Sequence, residues 1–105
     1  MSYVKIPTYV RVGGQLLIVN YQDFLDHNDL GLCSLAGGYI KIAKSFNNGT
    51  SQSDTSKCNT FYHELVHAIL DTMGENELSR NEKFVNCFAG FLTEAMTEAY
   101  FKEDE

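Results

Sequence analysis

The stretch Thr60-Phe-Tyr-His-Glu-Leu-Val-His-Ala-Ile-Leu-Asp-Thr-Met-Gly74 determines the organisation predicted for the rest of the chain. Its apolar residues recur three and four positions apart, and a glycine follows the last of them, so the stretch predicts an amphipathic helix. Residues four apart in a helix lie one above the other, so His63 and His67 point the same way. The apolar face of this predicted helix consists of Phe61, Leu65, Ala68, Ile69 and Met73.

The pentad His63–His67 has the spacing H-E-x-x-H. Two imidazoles at this spacing can occupy two corners of a tetrahedral zinc site, while the Glu flanks the metal as a base rather than as a ligand. We therefore predict that His63 and His67 bind zinc and that Glu64 is the catalytic base. The alternative is a pair of ordinary helix histidines, packed against a core or exposed to solvent.

A catalytic zinc site takes three protein ligands and keeps one position open. Glu82 is the predicted third ligand, because it precedes the apolar face of a second predicted helix that packs on the first. An alternative role for Glu82 is structural, since Ser79-Arg-Asn-Glu82 is a capping-box pattern. Asp71, one turn beyond the pentad, is the second choice of ligand, and His27 is a distant one.

Composition narrows the class of protein. A chain of 105 residues forms one domain, here spanning 1–105. A net charge of −6 without a basic stripe argues against nucleic-acid binding, and no run reaches the roughly 18 apolar residues of a membrane span. The N-terminus lacks the apolar core of a signal peptide, and the three cysteines form no C-x-x-C pair. We expect a cytoplasmic monomer with reduced thiols.

The residues before the pentad favour strands. Two runs rich in β-formers, 3–12 and 15–21, flank Gly13-Gly14, which predicts an antiparallel hairpin. Tyr39–Ile42 alternates between polar and apolar residues and predicts another strand. This strand is either an edge that holds an extended peptide by main-chain pairing or an ordinary amphipathic strand.

Two further segments complete the prediction. Residues 45–59 read as a polar loop or flap, after which Asn59 or Thr60 caps the metal-binding helix. A second helix is predicted from about Ser79 to Phe101, followed by a fraying tail at 102–105. Its inner stripe is predicted to contain Val85, Ala89, Leu92 and Met96, widened by Phe84, Phe88 and Phe91.

Roughly residues 30–95 resemble the short gluzincin-type metallopeptidases. The likeness is greatest to the ImmA/IrrE-type domains and their small phage-encoded relatives. In those proteins a strand-rich half precedes the H-E-x-x-H helix, and a second helix carries a pattern like E-x-x-A-N-x-F-A, whose Glu binds zinc. The matching stretch here is Glu82–Ala89, with Val85 in place of the first Ala. Residues 91–96 replace the usual Leu-Leu-Met-Pro. The SprT-type proteases are a weaker likeness, because they use a third His and none follows His67.

The resemblance implies an α+β, small zincin-like domain that hydrolyses a peptide bond in a protein or peptide substrate. It implies one Zn²⁺ held by His63, His67 and Glu82, with Glu64 as general base. It also implies a phage or mobile-element source and a regulatory protein as substrate. Two alternatives stay open: a catalytically silent peptide-binding module of the same fold, and a metal-free domain with accidental histidines.

Overall fold

The computed structural model describes residues 6–47 and 49–98, which form an α+β structure with a mixed sheet followed by helices. The elements are β1 (Tyr9–Val12), β2 (Gln15–Gln22), a 3-10 turn (Asp26–Asn28), β3 (Gly31–Ser34), β4 (Tyr39–Ala43), β5 (Ser45–Phe46), β6 (Thr50–Ser51), α1 (Asp54–Met73), α2 (Asn76–Ser79) and α3 (Glu82–Thr97). The start of the first predicted strand, residues 3–5, the end of the second predicted helix, 99–101, and the predicted fraying tail, 102–105, lie outside the described residues.

The main sheet has the order β1-β2-β4-β3. The predicted hairpin is confirmed: β1 pairs antiparallel with β2 around Gly13 and Gly14, whose φ angles of 59° and 86° suit glycine in a tight turn. Beyond this hairpin the sheet is mixed rather than wholly antiparallel, because β2 and β4 run parallel. This pairing arises because the chain places β3 on the far side of β4 before β4 returns beside β2.

The strand Tyr39–Ile42 is therefore not an edge. It belongs to β4, which lies between β2 and β3, so the prediction of an edge strand there was wrong. Among the described residues the edge beside α1 is β3, a strand of four residues (Gly31–Ser34). The strand with a free edge for main-chain pairing is therefore β3, not β4 as predicted.

Helix α1 is the middle layer of the structure. Phe61 and Ala68 are buried against the sheet, where the core also includes Val12, Leu17, Val19, Ile40 and Ile42. On its other side, Val66 and Leu70 are buried against α3, where they meet Val85 and Ala89. The helix therefore has two buried faces, and the predicted single face was incomplete: Phe61 and Ala68 are buried as predicted, but Met73 is 66 % exposed.

The polar segment 45–59 is not a loop as predicted. It contains the hairpin of β5 and β6, and α1 already begins at Asp54, capped by Ser53, whose hydroxyl accepts from the Ser56 backbone N–H. Neither Asn59 nor Thr60 is the cap. The early start was hidden because these first helical turns carry few apolar residues and so show no periodic pattern.

Gln52 anchors the start of α1 to the sheet. Its buried amide donates to the Ala43 carbonyl at 2.6 Å, and its Oε1 accepts from the hydroxyls of Ser56 and Thr60 at 2.8 and 2.6 Å. A buried amide with all these partners fixes the direction in which the helix leaves the sheet. The pentad begins three residues after Thr60, so this anchor also sets its position.

The second predicted helix begins later than expected. Helix α3 starts at Glu82 and ends at Thr97, and its N-cap is Asn81, whose Oδ1 accepts from the Phe84 backbone N–H at 3.1 Å. The prediction of a capping box starting at Ser79 is therefore wrong. The Glu82 carboxylate is available for another role. Within the described residues, no helix combines the length and apolar composition that crossing a membrane requires.

One pair of substitutions tests the two faces of the sheet. Ile40 is fully buried and Ile18 is 40 % exposed, although they lie on neighbouring strands. Ile40→Ala is expected to lower the free energy of unfolding by about 2–5 kcal/mol, because it leaves a cavity in the core. Ile18→Ala should cost about 1 kcal/mol or less, mainly through β-propensity. Urea unfolding measures both, and equal losses would contradict this placement of the core.

Candidate metal centre

His63 and His67 lie one turn apart on α1, at the boundary between the sheet and α3. Their Nε2 atoms are 3.2 Å apart and their rings meet edge to face. Two imidazole nitrogens that bind one tetrahedral zinc at 2.0–2.1 Å are separated by about 3.3 Å. The predicted pairing of the two imidazoles on one helix face is therefore what the structure contains.

Glu82 approaches the histidines from the first turn of α3. Its two carboxylate oxygens lie 3.8 Å from His63 Nε2 and 3.9 Å from His67 Nε2. One ligand atom from each of the three residues falls within 4.8 Å of the others, which is close enough to hold a single metal ion. No other group of three His, Cys, Asp or Glu side chains in the described part of the chain meets this condition. Two nitrogens and one carboxylate form a donor set that suits zinc.

Ser79 orients His67 and was not identified from the sequence. It is buried at the end of α2, and its Oγ lies 2.9 Å from His67 Nδ1. When Nδ1 donates its proton to this hydroxyl, Nε2 carries the lone pair that a metal requires. In the sequence, Ser79 was notable only as the first residue of the predicted capping box. That pattern pairs Ser79 with Glu82, not with His67.

His63 has its own polar neighbour. Asn86, one turn into α3, lines the same cavity as His63. Burial lowers the pKa of His63, and the nearby His67 lowers it further, while the Glu82 charge and the Asn86 side chain oppose this shift. The net effect favours the neutral imidazole, which is the form that binds metals.

Glu64 lies beside the histidines but faces β3. Burial raises the pKa of its carboxyl to about 7, and the negative charges of Asp29 and Glu82 contribute to that shift. A Cβ atom at Gly31 would lie 3.0 Å from Glu64 Cγ and would collide with the Thr60 methyl group. The absence of a side chain at Gly31 thus allows Glu64 its place.

These residues surround one cavity of about 400 Å³. Its walls are formed by the start of β3, two turns of α1 and the first turns of α3, and comprise Asp29, Leu30, Gly31, Asn59, Thr60, His63, Glu64, His67, Glu82 and Asn86. A larger cavity of about 640 Å³ lies elsewhere and has Asp23, Lys44, Asp54 and Lys57 as its charged lining. That lining contains no histidine or cysteine, so it offers no comparable donor set.

The two alternative ligands are not part of this cluster. Asp71 is exposed, and its charge acts on Cys33 in β3, so it lies on the side of α1 that faces the sheet edge rather than α3. His27 is in an exposed loop, where its φ of 61° places it in the left-handed region. Cys33 is a free thiol whose pKa burial raises to about 12, with Glu64 and Asp71 adding to the shift, so it offers no thiolate near neutral pH.

No protein-family model matches the chain, and neither the curated proteins nor the solved structures contain a match.

The contact between Ser79 and His67 predicts an effect on metal affinity. Ser79→Ala is expected to weaken zinc binding about 10–100-fold, the usual effect of removing the partner that orients a histidine ligand. Competition with a chromophoric chelator measures the affinity. Ser34→Ala, at the far end of β3, is the matched control and should leave it unchanged. Equal affinity in the parent and the Ser79 variant would show that this hydrogen bond does not orient the ligand.

Proposed function

We propose that this protein is a zinc-dependent metallopeptidase of the zincin type. The observation that carries the proposal is the convergence of His63, His67 and Glu82 around one point, with Glu64 lining the same cavity. A third ligand contributed by a separate helix, together with an acid next to the first histidine, is the arrangement that metal-assisted hydrolysis requires. The resemblance to gluzincin-type enzymes is consistent with the element order, in which a strand-rich half precedes the pentad helix and the helix that carries Glu82.

His63, His67 and Glu82 would hold the metal through two nitrogens and one carboxylate. The neutral form of His63 and the hydrogen bond of His67 to Ser79 leave both Nε2 atoms available as ligands. When bound, Zn²⁺ supplies Lewis acidity that lowers the pKa of a water towards about 7 and polarises a carbonyl group.

Glu64 would act first as general base and then as general acid. Its carboxylate accepts a proton from the attacking water as the water oxygen adds to the scissile carbonyl carbon. It then delivers that proton to the amide nitrogen as the C–N bond breaks, so the products are a carboxylate and an amine. The absence of a side chain at Gly31 leaves room for the Glu64 carboxylate in the cavity wall.

The substrate would be a segment of protein or peptide in extended conformation. The start of β3 forms one wall of the cavity, and β3 is a sheet edge within the described residues. A chain added beside β3 would pair its main-chain groups there and pass its backbone over Glu64 and the histidines.

The competing proposal is a peptide-binding module with a structural metal. A structural zinc site is closed by four protein ligands, whereas in the described part of the chain only three donors converge. Glu82 is also 63 % exposed in its side chain, so the site is open to solvent. These two observations favour catalysis over a structural role.

The first test is metal content. The purified protein is expected to contain close to one zinc per chain, and Glu82→Gln to contain much less, because an amide is a weaker ligand than a carboxylate. Glu77→Gln, an exposed acid in α2, is the matched control and should bind zinc like the parent. Elemental analysis gives the result. Full zinc content in Glu82→Gln would remove Glu82 from the ligand set.

The second test separates chemistry from metal binding. Glu64→Gln should keep its zinc and lose peptide hydrolysis by at least about 100-fold, because general acid–base catalysis contributes that much. Cleavage of a mixed peptide library, followed by mass spectrometry, provides the assay. An unchanged rate in this variant would overturn the assignment of Glu64, and absence of cleavage in a zinc-loaded parent would favour the binding module.

A further inference from the structure

The main sheet buries one face under α1 and leaves its other face open. Successive side chains of a strand point to opposite faces of a sheet. Val12, Leu17, Cys33 and Ile40, one from each strand, lie in or pack against the core beneath α1, so their neighbours along the strands point away from this helix. Five of these outward residues are apolar or aromatic, and we call them the outer patch: Tyr9, Leu16, Ile18, Leu32 and Tyr39.

The outer patch is continuous and exposed. Tyr9 is the strand partner of Ile18, and Ile18 is the partner of Tyr39, so these three side chains form a row across β1, β2 and β4. Leu16 and Leu32 extend the row on β2 and β3. Tyr9 is 56 % and Ile18 is 40 % exposed. The open face of a sheet usually carries polar side chains, so an apolar surface in this place indicates an interaction site.

The charges of the sheet have one sign. The chain contains 14 acidic residues and has a net charge of −6, yet β1, β2, β3 and β4 contain no Asp or Glu. Their charged residues are Arg11 and Lys41, and both point outwards beside the outer patch. Lys41 Nζ lies 4.6 Å from the centroid of the Tyr39 ring. Neither cation forms an ion pair within residues 6–47 and 49–98, so this face is a positive area on an acidic protein.

The two cations lie at opposite corners of the outer patch. Arg11 is opposite Leu16, and Lys41 is opposite Asn20, which is four residues further along β2. With about 3.4 Å per residue and about 4.8 Å between strands, their Cα atoms are roughly 16 Å apart. A helix rises about 1.5 Å per residue, so two acidic side chains about eleven residues apart on one helix face match this separation.

We propose that the open face of the sheet is a docking surface for an acidic amphipathic helix of a partner protein. The apolar side of that helix covers the outer patch, and its carboxylates pair with Arg11 and Lys41. A helix on this face repeats the packing that α1 provides on the other face, where a sheet is covered by a helical layer. The metal centre lies on the α1 side of the sheet, so the proposal is independent of the proposed enzymatic function.

Two other occupants fit this face less well. A second copy of the chain, related by a twofold axis, would bring two positive faces together with no acidic residue between them. A nucleic acid would meet only two cations on a protein whose net charge is −6. An acidic helix satisfies both the apolar surface and its charge.

The experiment is an NMR titration of the whole chain with two synthetic helical peptides. Both peptides carry leucines along one face, and they differ only at two positions eleven residues apart, which are Glu in one peptide and Lys in the other. The Glu peptide is expected to shift the amide resonances of β1, β2 and β4. At low salt it should bind at least about tenfold more tightly than the Lys peptide, and added salt should reduce this difference.

Two pairs of variants separate the apolar and the charged contributions. Ile18→Ser should weaken binding of the Glu peptide at least about tenfold, because Ile18 is central in the row. Met73→Ser is its control, since Met73 is 66 % exposed on α1. Arg11→Glu and Lys83→Glu change the net charge equally, but only Arg11→Glu should remove the preference for the Glu peptide, because Lys83 is on α3. The amide spectrum and zinc content verify that each variant is folded.

Several outcomes would overturn the proposal. Resonances of the open face that do not shift with the Glu peptide would do so, as would equal affinity for the two peptides. An equal loss of affinity in Arg11→Glu and Lys83→Glu would reduce the effect to net charge. Tighter binding of a single-stranded RNA oligonucleotide on the same face would assign it to nucleic acid. Dimerisation in sedimentation analysis that Ile18→Ser abolishes would assign it to a second copy of the chain.

Discussion

The structure depends on α1 being buried on two opposite faces. One face packs on the sheet through Phe61 and Ala68, and the other packs on α3 through Val66 and Leu70. A helix held from both sides cannot rotate without opening a core, so the residues between those faces keep fixed directions. The pentad lies in that position. Its histidines point towards α3, while Glu64 points towards β3, and the amide of Gln52 prevents the helix from sliding along the sheet.

The same arrangement favours the metal-binding form of His63. Burial disfavours the charged imidazole and therefore keeps His63 neutral. Glu82 sits at the exposed start of α3, with 63 % of its side chain open to solvent. Neutral nitrogen and ionised oxygen are the forms in which these residues bind zinc. The cavity that brings His63, His67 and Glu82 together is therefore largely buried on the α1 side and open on the α3 side.

What could be predicted from the sequence was local or periodic. The H-E-x-x-H spacing places two imidazoles together in any helix, and two adjacent glycines favour a tight hairpin wherever they occur. The position of Glu82 followed from helical periodicity, because the residues after it pack on α1. In contrast, Ser79 meets His67 only through the turn between α1 and α3, and the edge position of β3 depends on a parallel pairing across the sheet. Such long-range contacts leave no short pattern in a sequence.

Helix α3 shows the limits of helical periodicity: Phe84 and Leu92 pack against the inner core as predicted, but Phe88, Phe91 and Met96 are exposed. Apolar residues three and four apart predict one buried face, yet the apolar surface of α3 continues from buried Val85 and Ala89 round to the exposed rings of Phe88 and Phe91. The small side chains pack closely on α1 and bring Glu82 within reach of the histidines, which bulky phenylalanines at the same contact would not permit. Close packing of α3 on α1 through Val85 and Ala89 therefore leaves Phe88 and Phe91 on the outer side of the helix.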